Sequence, residues 1–152
     1  MASGRIAAVC MMLTCICTAA YGQTGIIQVH IELMQSAVKN NERFTVPVSL
    51  SNTSNDAASL QVWSCSFPEQ WVSDNPTVHI PAVPCEKNDA IWIKLSPGES
   101  FTEQLAIYIA LPADHRAREP VDFRLGFEPI DFQRTATPSI IWSNGVTINV
   151  IE

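Results

Sequence analysis

The chain has 152 residues, 47% of them hydrophobic, and a net charge of −6 at pH 7. That length can bury one core without further staples. The acidic balance, with no Lys/Arg-rich run, argues against a nucleic-acid partner.

The first segment has the order of a secretory signal. Arg5 precedes an apolar run over residues 6–16, and the small-residue sequence Ala20-Tyr21-Gly22 follows. The run falls short of the roughly 20 apolar residues that a span needs, and no basic stop-transfer cluster follows it. Neither Cys15 nor Cys17 has the surroundings of a lipid-attachment box. The expectation is a signal peptide over residues 1–22 and one domain over 23–152, secreted or periplasmic, with no stable membrane span after cleavage. Cleavage takes the five cysteines down to two, Cys65 and Cys85.

From there the chain reads as strands. Ile27, Val29, Ile31 and Leu33 are apolar at every second position, the period of a half-buried strand. Residues 35–41 form a polar break. Phe44, Val46, Val48 and Leu50 repeat the alternation, and Pro47 among them favours an edge or a bulge because it cannot donate to a ladder. Residues 51–56 are a polar turn, and Leu60-Gln61-Val62-Trp63 starts a third strand.

Residues 60–85 hold Trp63, Trp71 and both remaining cysteines, and predict a strand, a loop and a second strand closed by a disulfide. Ile91, Ile93 and Leu95 alternate next, with Trp92 on the opposite face. Ser96-Pro97-Gly98-Glu99 has the chemistry of a turn with positive φ at its third residue. Phe101, Glu103, Leu105, Ile107 and Ile109 form the following inward row, in which Glu103 is a misfit. A charged loop over 112–120, with room for a helical turn, leads to the row Val121, Phe123, Leu125, Phe127. A second loop covers 129–139, and residues 140–142 and 146–150 close the chain around Asn144-Gly145. Eight or nine short strands with no 3.6-residue period predict an all-β, antiparallel immunoglobulin-like β-sandwich.

Few residues have the spacing of chemistry. Cys65 and Cys85 are not a C-x-x-C pair, and in an exported chain they read as a structural disulfide rather than a metal or redox pair. His30, His79 and His115 are scattered, without the paired spacing of a metal centre. No G-x-S-x-G elbow or Gly-rich phosphate loop is present. No catalytic residue, metal or cofactor is therefore expected. Trp71 and Trp142 sit in loops, where a tryptophan either tucks over the core or anchors a partner. The expected contact residues are Trp71, His115, Arg116, Arg118 and Trp142, on loops 68–76, 112–120 and 129–139. Asn52-Thr53-Ser54 has the form of a glycosylation sequon, which matters only in a eukaryotic secretory pathway.

The order Asn52-Thr53-Ser54-Asn55, Leu60 and Leu95-Ser96-Pro97-Gly98-Glu99-Ser100 resembles small exported bacterial Ig-like domains and, over residues 46–107, the BsuPI-like intracellular proteinase inhibitor family. The resemblance implies the same fold and, as an alternative, the same activity; the signal peptide argues against an intracellular inhibitor. The expected function is a non-enzymatic exported binding or accessory domain with a protein partner. The alternatives are an inhibitor of a secreted protease or other hydrolase, and a periplasmic metal-handling protein built on His30, Met34 and His79.

Overall fold

The computed structural model describes residues 27–113, 119–130 and 140–151. The expected signal peptide lies outside them. The described chain forms twelve strands, more than the eight or nine expected: β1 (Ile27–Ile31), β2 (Ala37–Lys39), β3 (Arg43–Asn52), β4 (Ala58–Trp63), β5 (Trp71–Ser73), β6 (Val78–His79), β7 (Ala90–Leu95), β8 (Ser100–Ile109), β9 (Glu119–Phe123), β10 (Leu125–Phe127), β11 (Ile141–Trp142) and β12 (Val146–Ile151). Strands β1, β3, β8 and β6 are neighbours in that order in the largest sheet, and all its pairings are antiparallel. Two three-stranded sheets, β2-β12-β9 and β11-β10-β5, and the β4–β7 ribbon complete the fold. The protein is all-β, and its sheets are small and mainly antiparallel.

The extra strands arise where tertiary pairing overrides a weak local signal. Ala37–Lys39 falls in the polar break, with Val38 as its lone branched apolar residue. It still becomes a strand by lying parallel to β12, with Ala37 opposite Asn149. The expected loop over 68–76 is instead a 3-10 turn, Phe67–Gln70, followed by β5. The row from Val121 to Phe127 is one sequence signal but two strands. The chain leaves the β12 ladder at Phe123 and joins β5 and β11 from Leu125 onward, so Arg124 marks a change of sheet.

Pro47 is at no edge strand, since β3 lies between β1 and β8. Its carbonyl accepts from Glu32 N at 3.3 Å, which turns its backbone toward the β1 side. There β1 has already ended at Ile31, opposite Val48. The missing N–H therefore breaks no ladder bond. Glu103 is exposed, because β6 pairs with β8 only at Tyr108 and Ile109 and leaves the earlier residues at an open margin.

One core draws on every sheet. Val46, Val48, Leu50, Leu105, Ile107, Ile109, Leu125, Phe127 and Ile148 are all 1% exposed or less. The resemblance motifs become one tie. Gly98, at φ 76°, sits in the Ser96–Glu99 turn, whose Glu99 N donates to Ser96 O at 3.0 Å. Asn52 joins that turn to its own. Its Nδ2 donates to Asp56 O (2.7 Å) and Leu95 O (3.0 Å), and its Oδ1 accepts from Ser54 N and Ser54 Oγ. Asn52 is 1% exposed. The sequon is thus a closed Asx turn in the folded protein, with both amide hydrogens engaged.

Candidate contact site at Arg124 and Trp142

The change of sheet at Arg124 builds a small rigid platform. Asp74, in the turn after β5, faces the break. Arg124 N donates to Asp74 Oδ1 at 2.7 Å and Arg124 Nε to Asp74 Oδ2 at 2.8 Å, while Asp74 N reaches Arg124 O. The guanidinium carbon lies 5.2 Å from the centroid of the Trp142 ring, a cation–π distance. Gly126 is what lets that ring lie flat. A Cβ there would meet Ile140 Cγ2 and come within 2.9 Å of Trp142 Cε3.

Neighbouring groups are pinned as well. Asn75 Nδ2 donates to Asp122 O, and Thr147 Oγ1 donates to Asp122 Oδ1 at 2.6 Å. Buried Ser143 bridges β10 and the following turn, accepting from Leu125 N and donating to Asn144 O. Asn144 then acts as a strand partner for Ile31, accepting from its N–H at 2.9 Å and donating to its carbonyl at 3.1 Å. Beside the platform lies a cavity of about 290 Å³ lined by Asp74, Asp122, Arg124, Gly145 and Thr147. Nε and the backbone N–H of Arg124 are taken. Among the described residues its terminal nitrogens make no hydrogen bond.

Partial burial opposes ionisation of Asp74, but the side-chain and backbone hydrogen bonds from Arg124 and its charge outweigh it, and the carboxyl is held below its usual pKa. A lowered folded-state pKa means stability that is fully present above the ordinary Asp value, about 3.9. It disappears as pH falls through the lower folded value. Asp74→Asn should therefore lower stability by at most about 1 kcal/mol at neutral pH, because both side chains are partly exposed. The difference from wild type should vanish at the acid end of a urea-denaturation series. A constant difference at every pH would show that the ion pair is not its source.

The expected contact residues separate. Trp142 is half-buried at the platform. Trp71 is buried, not exposed at a loop tip: it is 4% exposed, its ring 5.2 Å from Phe127 and 5.8 Å from Phe67. Its apolar rings are core material, although Trp71 Nε1 has no hydrogen-bond partner among the described residues. His115, Arg116 and Arg118 lie outside the described residues. His30 is in β1 and His79 in β6, at opposite margins of one sheet, and His79 stacks on Tyr108 at 5.0 Å. Among the described residues no three His, Cys, Asp or Glu side chains gather as a metal centre. The Cys65–Cys85 disulfide is formed, with Cα atoms 5.9 Å apart. Asn88 braces it, accepting from Cys65 N and Ser66 N. Arg124 and Asp74, 50 residues apart in sequence, had no local signal that could pair them.

No family model matches the chain, and no curated protein matches it. Several solved structures are similar in part. E. coli alpha-2-macroglobulin in its native conformation aligns at 8% identity and a TM-score of 0.46 over 82% of this chain, which spans 6% of that protein. AvmM, described as catalysing macrocyclization in alchivemycin A biosynthesis, aligns at 13% identity and a TM-score of 0.42, covering 84% of this chain and 89% of its own. A β-glucosidase from Erythrobacter marinus aligns at 15% identity and a TM-score of 0.38 over 82% of this chain and 16% of its own.

Proposed function

We propose that the chain is an exported, non-enzymatic binding module of immunoglobulin-like architecture that engages a protein partner through the Arg124–Trp142 platform. The strand order β1-β3-β8-β6 supports the architecture, as does the way the first strands divide: β1 joins that sheet and β2 runs parallel beside β12. The observation that carries the site is the restraint of Arg124 by Asp74 and Trp142, while its terminal nitrogens make no hydrogen bond among the described residues. Arginine and tryptophan dominate binding hot spots, and a held side chain loses little entropy on binding. The net charge of −6 suits a basic partner, whose association would be steered electrostatically and slowed by salt. The disulfide suits an oxidising compartment.

Recovery of the exported protein from its native source tests both parts of the reading. Its intact mass should begin at Gln23, and retention of residues 1–22 would overturn signal cleavage. Partners that co-purify should be lost on the order of tenfold or more in both Arg124→Ala and Trp142→Ala, as for hot-spot truncation. Equal recovery by wild type and both variants would remove the platform from the binding function.

A further inference from the structure

Strand β7 presents an unusual margin. It pairs only with β4 among the described residues. Ser64 N donates to Asp89 O at 2.9 Å, which makes that pair a hydrogen-bonded step at the end of the β4–β7 ladder. Bonded and non-bonded steps alternate in antiparallel ribbons. Ile91, Ile93 and Leu95, opposite Val62, Leu60 and Ala58, therefore turn their backbone groups to β4. Ala90, Trp92 and Lys94 turn theirs to the open side.

The side chains there are apolar. Trp92 is 62% exposed, and Ile91 is 46% exposed although it shares the inward face with Val62 and Ile93. Exposed edges are usually blunted by proline, by a bulge, or by charges, inward-pointing ones included. In β7 the lone charge is Lys94, which sits on the outer face with Trp92.

From this margin we infer a second binding surface: β7 pairs antiparallel with β7 of a second copy, about a two-fold axis through Trp92. A two-fold perpendicular to a sheet pairs residues of like facing. Centring it on Trp92 sets Trp92 against Trp92 and Ala90 against Lys94, twice. Those are the three residues whose N–H and C=O groups point outward, so every open group at the margin gains a strand partner. On the inward face Ile91 comes opposite Ile93 and is covered. On the outer face Lys94 comes opposite Ala90, so no like charges face each other across the pairing. Two six-residue edges bury less than a standard interface, so the dimer is weak, in the micromolar range. Pairing uses up both edges and therefore closes at two copies.

Sedimentation of the mature protein across micromolar concentrations tests this, together with amide hydrogen exchange. A monomer–dimer equilibrium is expected, with the Ala90, Trp92 and Lys94 amides protected only at high concentration. Trp92→Lys removes the apolar contact, and Ala90→Pro removes an outward N–H that β4 does not use. Each should weaken dimerisation on the order of tenfold or more, with wild-type circular dichroism and Tm showing that the fold is retained. A chain that stays monomeric throughout would overturn the proposal. So would a dimer that both folded variants leave intact, or one whose formation leaves those three amides exchanging freely.

Discussion

Phe127→Ala should destabilise the protein by about 3–5 kcal/mol, the range for truncating a fully buried aromatic. Phe127 is 0% exposed in β10, where the chain has just changed sheets and pairs on both sides, with β5 and β11. Its ring lies 5.2 Å from Trp71 and 6.1 Å from Phe67, and Phe67 in turn meets Phe101 at 5.9 Å. The cavity left by alanine would open among rigid rings that cannot easily collapse into it. Trp71 Nε1, without a hydrogen-bond partner among the described residues, lies in the same cluster. A water entering the cavity could accept its hydrogen bond, which sets the expectation toward the lower half of the range. Urea denaturation measures this as a shift in midpoint at constant m. A loss under about 1 kcal/mol would show that the aromatic cluster repacks.

Replacing Cys65 and Cys85 together with serine should cost roughly 3 kcal/mol, from the loop entropy that the cross-link removes from the unfolded chain. The two experiments differ in signature. Loss of the bond expands the unfolded ensemble, so m should rise, whereas Phe127→Ala should leave it unchanged. Two titratable thiols in the native, unreduced protein would contradict the bond directly. The hydrogen bonds that tie Asn88 to residues 65 and 66, on one side of the bridge, should persist in the serine variant and keep that side near native.

The alternating rows were legible because period-two patterning is local. Val46, Val48 and Leu50, Leu105, Ile107 and Ile109, and Val121 through Phe127 all reach the core as their spacing implied. The break inside the last row was not legible, because nothing in Phe123-Arg124-Leu125 marks a change of neighbour. It depends on Asp74 arriving from 50 residues away. Strand β2 was hidden for a similar reason, since its partner lies at the far end of the chain. Of the candidate site, Trp142 was singled out as a loop tryptophan, whereas it lies in β11 opposite Gly126. Arg124 looked like one more outward charge in a strand. Trp92 was placed correctly on the face opposite Ile91 and Ile93, but sequence alternation cannot say whether another layer covers that face. Trp71, in a segment that read as a loop, is core because the 3-10 turn before it delivers the ring inward.

The bonds between Ile31 and Asn144 span 113 positions, as does that between Ser36 and Asn149, and they set the order in which the fold can finish. The ribbons of β3 with β8 and β4 with β7 can form from residues already in hand. Strand β2, by contrast, has no ladder until β12 exists, and β1 lacks its Asn144 clasp until the same late segment arrives. A chain emerging from its N-terminus must therefore hold its opening strands unfinished through most of its synthesis or passage. Pairing over such separations is slow because loop closure precedes any gain in contacts. Completion of the sheets belongs to the last moment, when first and last strands meet.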